Sequence, residues 1–431
     1  MPKVRCSNCG MERELAEGTV YAYCHCCGGK IQVEQTAPEQ QTAAPTATPE
    51  QPAPSQETVT APAAPQATAY AAAPTPKPAP APAPVQYQVP MAVPTFVPRP
   101  APVDPMQQYA QEQSKRAEKK QIFRRSTVLS SAFLISQVVG TLLAVLYYTA
   151  QELFPAAALF QADNGTIGEN LFYVFWSTVS MTAVALVTFK LIKVKPYEVI
   201  DFSMPKALPL TAGVLACLGL AFIGNVTANV IAGFFEALGF SIELPESPLP
   251  QSAIGILLYF LASAAIPAIN EELLCRGLLL GGLRKYGDGI AVVISAAVFG
   301  LFHGNFVQIP FAFILGLGLG YVTIACRSIW PAVIVHFLNN AMSCALSLWT
   351  EHLSEEQSIV ISLLYYGLLI MLGIIGILLF VFNRKRFSKV TNEYSGLLTV
   401  NQRVGRVLAS PTLIVFTVMM IGGAFATLTA I

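Results

Sequence analysis

Charged residues are scarce in this sequence: they make up 12% of the 431 residues, whereas 54% are hydrophobic, and the mean hydropathy is +0.54. This composition excludes a single water-soluble globular fold, which needs a charged surface. The opening residues MPKVRCSNCG also lack an apolar stretch behind a basic start. We therefore expect no cleavable signal peptide and a first segment that stays in the cytoplasm.

The apolar residues are concentrated after residue 120, in runs of roughly 20, which is the length that a helix needs to cross a bilayer. The pattern predicts an all-α polytopic membrane bundle of about nine transmembrane helices. The predicted spans are 127–149, 171–190, 208–235, 253–281, 289–303, 307–325, 329–349, 358–382 and 410–430.

The distribution of basic residues supports this topology. Lys and Arg fall in the loops that an inside amino terminus would place inside, and the predicted outer loops contain only acidic charges. We expect a multi-pass protein of the cell membrane, with its amino terminus in the cytoplasm and its carboxyl terminus outside. Arg276 departs from this pattern because it lies within an apolar run.

The first 33 residues contain two CxxCG motifs. Four thiolates in two tight turns can surround one tetrahedral zinc ion, and so short a region needs a metal to fold. A reduced cytoplasmic location disfavours the alternative, a disulfide framework. The predicted ligands of this structural zinc are Cys6, Cys9, Cys24 and Cys27. His25 and Cys26 are spare, so the ligand in the second motif could shift by one residue.

The amino-acid composition divides the sequence into three regions. Residues 1–33 resemble the small zinc ribbons, built on a β-hairpin, of many bacterial membrane proteins, and such ribbons usually act as adaptors. Residues 34–112 are rich in Pro and Ala and predict a disordered linker. Residues 113–431 form the predicted transmembrane domain.

Ionisable residues at bilayer depth are costly, so each is a functional candidate. Glu272 and Arg276 are neighbours on one helix face and can form an ion pair, which leaves Glu271 without a partner on its own helix. Pro267 removes one backbone hydrogen bond and frees the carbonyl of Ser263, so we expect the helix to open locally beside Glu271.

Two later spans carry the remaining polar side chains. Phe299 and His303 share one helix face at the end of the fifth span, and His336 and Asn340 share one in the seventh. Each motif alone is weak evidence, because a core polar group with a hydrogen bond would look the same. Their order on three spans is more specific.

Together these motifs resemble the type II CAAX prenyl protease family of intramembrane endopeptidases, which also includes bacteriocin-processing proteins. The family pattern is EExxxR, FxxxH and HxxxN, and it is complete within about residues 250–345. The resemblance implies that Glu271 acts as general base on a water held with His303, and that His336 and Asn340 stabilise the oxyanion. Glu272, Arg276 and Phe299 would have supporting roles. No metal or other cofactor is then needed in the membrane site.

Three other interpretations remain open. A zinc metallopeptidase could use His303, His336 and Glu271, although the HExxH spacing is absent. A transporter could use the same polar groups to line a pathway, and a scaffold or immunity protein could bind a membrane peptide without cutting it. For the peptidase we expect a membrane-associated peptide or protein as substrate, and for the ribbon a cytoplasmic protein partner. Only Lys3, Arg5, Arg13 and Lys30 are basic in the head, so we expect no nucleic acid.

Overall fold

The computed structural model describes residues 104–242 and 248–430 in full, together with the backbone of four short strands near the amino terminus. Two compact units divide the chain, Met1–Pro102 and Val103–Ile431. In the first unit, β1 (Lys3–Arg5) pairs antiparallel with β2 (Glu12–Glu14), and β3 (Tyr21–Tyr23) with β4 (Lys30–Gln32). Each CxxC motif falls, in sequence, between the two strands of one pair. The four predicted zinc ligands themselves lie outside the described residues.

Helices dominate the second unit. Among the residues that the structure describes, seven helices are long and apolar enough to cross a membrane. They are α1 (Pro105–Leu153), α2 (Thr166–Leu191), α3 (Ala207–Ala237), α4 (Ala253–Tyr286), α6 (Gln308–Ala325), α7 (Trp330–Thr350) and α8 (Glu355–Phe382). Between α4 and α6 lies α5 (Asp288–Leu301), and α9 (Val400–Leu408) and α10 (Pro411–Ala426) follow α8. One-turn helices lie at Ala158–Gln161, Pro196–Val199 and Arg384–Arg386.

Two of the nine predicted spans differ from the expectation. The fifth is α5, whose 14 residues extend only about 21 Å and do not reach across a hydrocarbon core. The ninth corresponds to α10, which is bent by 64° from α9, so that the pair counts as one broken span at most. Hydropathy shows how long an apolar segment is, but it does not show whether the helix formed by that segment is straight.

Local signals determine where helices begin. Asp104 accepts from the backbone N–H of Met106 (2.9 Å), and Pro105 occupies the first turn of α1. The helix therefore includes residues 105–112, which the sequence analysis predicted as linker. Ser252, Ser354, Thr399 and Ser410 cap α4, α8, α9 and α10 in the same way.

A short sheet also departs from the all-α prediction. Strand β5 (Phe240–Ile242), just after α3, pairs antiparallel with β6 (Leu428–Ala430), just after α10. The hydroxyls of Ser241 and Thr429 lie 2.7 Å apart across this pair. Each strand has only three residues, too few for a period-two pattern to be recognised in the sequence. The pairing places the end of α10 beside the end of α3.

Small residues bring helices into close contact. Gly219 of α3 faces Gly373 of α8 so closely that a Cβ at Gly219 would lie 2.5 Å from the Cα of Gly373. Backbones can approach this closely only where no side chain stands between them. The three helices that carry the predicted motifs are α4, α5 and α7. They contribute many of the buried residues of the main hydrophobic core.

Candidate active site

Helix α4 departs from regular α-helical geometry on both sides of its two adjacent glutamates. Leu261–Ala265 and Leu273–Leu280 are π-helical, and only Ile266–Glu272 between them is α-helical. Pro267 lies in the first turn of this middle part and supplies no N–H. The first π-helical segment ends just before Pro267, whereas Glu271 itself lies in the α-helical part. Such π-helical segments within longer helices are frequent at functional sites.

The carbonyl of Ser263 has a partner on another helix. Asn340 of α7 donates from Nδ2 to this oxygen at 3.1 Å, and Asn340 Oδ1 accepts from Asn339 Nδ2, also at 3.1 Å. The bond joins α7 to α4 at the acceptor that Pro267 leaves free. One N–H of the Asn340 amide remains for a ligand.

Glu272 is the centre of a buried ionic cluster. Its Oε1 accepts from Arg276 Nη1 and from His336 Nδ1, each at 2.9 Å. The side chains of Glu272 and Arg276 are fully buried, and that of His336 is 4% exposed. Because an isolated charge is costly at this depth, Glu272 and Arg276 stabilise one another. The Glu272–Arg276 pair is the one that the sequence analysis predicted, whereas the contact between Glu272 and His336 was not foreseen.

The ring of Phe299 lies between this cluster and the second histidine. Its centroid is 4.3 Å from Cζ of Arg276, 5.1 Å from the His303 ring and 5.6 Å from the His336 ring. Both imidazoles meet the ring edge to face, and the guanidinium lies over its surface. Phe299 thus brings His303 and His336 to one place.

His303 follows the end of α5. Its Nδ1 lies 2.9 Å from the carbonyl oxygen of Phe299. A carbonyl oxygen can only accept, so Nδ1 carries the proton, and Nε2 of the neutral ring is left with a free lone pair. This tautomer suits a ring that accepts a hydrogen bond from water.

Glu271 stands apart from these contacts. Its residue is 8% exposed, and its buried Oε2 has no hydrogen-bond partner within the described part of the chain. Among the same residues, no hydrogen bond joins Glu271 to His303, His336 or Asn340. A buried carboxylate oxygen without a protein partner requires water or a ligand.

Asn270 is a further polar residue of the site that the sequence analysis did not single out. It accepts from Thr182 Oγ1 at 2.7 Å and donates to Ser177 Oγ and Thr178 Oγ1, each at 3.3 Å. These contacts attach the turn that carries Glu271 to α2, at the start of a π-helical segment, Thr178–Ala183. The signal that could have revealed it is an uncharged polar residue inside an apolar span, next to Glu271.

No group of three His, Cys, Asp or Glu side chains in residues 104–242 and 248–430 is placed to hold a metal ion. His336 directs one ring nitrogen to Glu272, which is not among the three residues considered as zinc ligands in the membrane.

Residues 253–342 match the family model described as type II CAAX prenyl endopeptidase Rce1-like. Residues 253–342 are referred to below as the Rce1-like segment because of this similarity. The match confirms the family resemblance on the part of the chain that contains all three motifs. It associates a multi-pass helical membrane protein with a protease family, and the Rce1-like segment covers about a fifth of the 431 residues. Comparisons with curated proteins and with solved structures gave no significant match.

Proposed function

We propose that this protein is an intramembrane endopeptidase that hydrolyses a peptide bond of a membrane-associated protein or peptide. The observation that carries the proposal is Glu271, a buried carboxylate that accepts no hydrogen bond from the described residues, within the Rce1-like segment and next to the Glu272–Arg276–His336 cluster. A paired glutamate would be a structural element only. A buried carboxylate that lacks a partner is poised to bind water or substrate.

Glu271 and His303 would activate the water. Nε2 of His303 and the Glu271 carboxylate are both acceptors, so a water between them donates both of its protons and turns an oxygen lone pair toward the substrate. Glu271 then takes one proton as the oxygen attacks the scissile carbonyl, and later returns it to the leaving amine. The carbonyl becomes a tetrahedral oxyanion in the first step and collapses to a carboxylic acid in the second.

His336 and Asn340 would stabilise this oxyanion. The free N–H of Asn340 can donate directly. His336 already donates from Nδ1 to Glu272, so its Nε2 donates only when the ring is an imidazolium. In that form its counter-ion is the Glu272 carboxylate, whose Oε1 lies 2.9 Å from Nδ1. In this mechanism Glu272 orients His336, and Arg276 and Phe299 hold Glu272 and the two rings in place.

The test compares membranes that contain the wild type, Glu271→Gln or Glu356→Gln, with mass spectrometry of the peptides that accumulate. Gln keeps the size of Glu271 but removes the base, and we expect at least about a hundredfold loss of turnover. Glu356 is exposed at the start of α8, so its variant controls for loss of a carboxylate. If Glu271→Gln membranes release the same peptides at the wild-type rate, the protein is not a peptidase of this kind, and a scaffold or carrier becomes the better interpretation.

We further propose that Cys6, Cys9, Cys24 and Cys27 bind one structural zinc, and that the resulting ribbon recruits a cytoplasmic partner or substrate. The CxxC motifs and their positions between paired strands support this proposal. Zinc content of the wild type and of Cys6→Ser/Cys9→Ser tests the metal. Removal of residues 1–102, which form a compact unit of their own, tests recruitment. Unchanged cleavage of the physiological substrate would contradict it.

A further inference from the structure

A basic pocket lies where three transmembrane helices end. It has a volume of about 410 Å³ and is formed at the start of α3, the end of α6 and the segment after α8. Four cationic side chains from these three elements line it, and none of its lining residues is acidic. They are Lys206, Arg327, Lys385 and Arg386.

Among the described residues, these four cations have no acidic partner. In the part of the chain that the structure describes, none of their side chains forms an ion pair or a hydrogen bond. Like charges gathered around one cavity repel one another unless an anion lies between them. The pocket therefore has the positive charge that is expected of an anion-binding site.

Specific contacts fix the walls of the pocket. The thiol of Cys326 donates to the carbonyl of Pro209 at 3.4 Å, which joins the end of α6 to the start of α3. The N–H of Ser388 donates to the carbonyl of Ala325 at 2.8 Å and holds the segment after α8 against the same end. Arg327 has a φ of 54°, a left-handed conformation that costs free energy for a residue with a side chain.

An apolar groove begins where the basic pocket ends. It lies between the same helices, α3, α6 and α8, and has a volume of about 300 Å³. Gly213 lies one helical turn beyond Pro209, and Val322 one turn before Cys326, so the groove continues from the pocket along both helices. A Cβ at Gly213 would lie 3.3 Å from Cγ1 of Val322, and one at Gly318 would lie 2.5 Å from Cδ1 of Leu220, so these glycines let α3 and α6 pack closely where they line the groove.

We propose that this composite site binds an anionic phospholipid, with the headgroup phosphate among the four cations and one acyl chain in the groove. The preference for positive charge at one end of a bundle explains cations in loops. It does not explain why they surround a cavity that leads into an apolar groove between helices. A small soluble anion would use the charges and leave the groove empty. This lipid site is separate from the proposed catalytic residues and does not depend on their function.

The experiment offers the purified full-length protein equal amounts of phosphatidylglycerol and phosphatidylcholine with identical acyl chains, and native mass spectrometry counts the lipids retained. We expect the wild type to retain phosphatidylglycerol preferentially. Each cation near an anionic headgroup contributes about fivefold, so Lys206→Gln/Arg327→Gln should reduce this retention by roughly thirtyfold. The exposed pair Lys385→Gln/Arg386→Gln repeats the test with little risk to folding.

The matched control is Lys190→Gln/Lys193→Gln, which removes two exposed charges at the end of α2 and just after it, outside the pocket. It should retain phosphatidylglycerol as the wild type does. The proposal is overturned if the wild type retains both lipids equally, or if the control loses as much retention as the pocket variants. It is also overturned if inorganic phosphate raises the Tm as much as phosphatidylglycerol does, since the site would then bind a free anion.

Discussion

Asn340 donates a 3.1 Å hydrogen bond to the carbonyl oxygen of Ser263, four residues before Pro267 on α4. In an uninterrupted helix the N–H of residue 267 would occupy that acceptor. A residue on α7 occupies it instead. The position of Asn340, a proposed oxyanion donor, therefore depends on a proline in a different helix.

Pro267→Ala should weaken this link. The restored N–H competes with Asn340 for the Ser263 carbonyl, so we expect a more stable α4 and a turnover that falls by about tenfold to a hundredfold, as for a misplaced donor. Cleavage rates and Tm measure the two effects. In an Asn340→Ala background the same substitution should cost no further turnover, because there is no donor left to displace. An additive loss would show that Pro267 acts elsewhere.

Glu272→Gln should destabilise the fold. It leaves the Arg276 charge buried without its counter-ion, a change that costs about 3–5 kcal/mol in protein interiors. Glu112→Gln is the matched control, because it breaks an exposed pair with Arg116 of the same i,i+4 spacing (3.5 Å), which is worth about 0–1 kcal/mol. Thermal unfolding in detergent measures both. Equal shifts in Tm would contradict a buried ionic cluster at Glu272.

Part of this site could be predicted from the sequence because it depends on spacing within one helix. The Glu272–Arg276 pair and the freed carbonyl of Ser263 both follow from i,i+4 geometry. The contact between Glu272 and His336 joins residues 64 positions apart and depends on how α4 and α7 rotate against each other. Hydropathy and spacing do not determine that rotation.

The fold, like the site, could be predicted only in part from the sequence. Apolar length predicted seven of the spans, since crossing a bilayer requires a run of apolar residues that composition reveals. It could not show that Asp288–Leu301 is too short, because the apolar residues continue past its end, through Phe302. The pairing of β5 with β6 joins Phe240 to Ala430, and no local pattern links positions so distant.

The hydrogen bonds of Asp163 to residues at the start of α4 predict that the stability of the protein depends on pH. Its carboxylate accepts from the hydroxyl of Ser252 (2.9 Å) and from the backbone N–H groups of Gln251 and Ser252. Desolvation alone would raise the pKa of Asp163, but these hydrogen bonds, with a further one from Thr166, lower it below its usual range. The stabilisation is therefore present above the unfolded-state pKa and is lost as the pH falls through the lower folded-state value.

We accordingly expect Asp163→Asn to have a lower Tm than the wild type at pH 7, and the difference to shrink when the pH falls below about 4, the ordinary pKa of an aspartate. Thermal unfolding across this range measures it. Glu393→Gln, which removes an exposed carboxylate, should leave the Tm nearly unchanged at both ends of the range. A difference between Asp163→Asn and wild type that grows in acid would reverse the assigned sign.

Metal removal separates the proposed mechanism from a zinc peptidase. A protein without residues 1–102 lacks all four proposed ribbon ligands, so a chelator can act only on metal bound by the membrane unit. We expect its cleavage of a membrane-bound peptide to survive exhaustive chelation, because Glu271 and His303 activate water without a Lewis acid in this mechanism. Activity that disappears with the chelator and returns with zinc would instead assign His303, His336 and Glu271 as ligands. The full-length protein is the control, since a chelator that lowers only its activity acts through the ribbon.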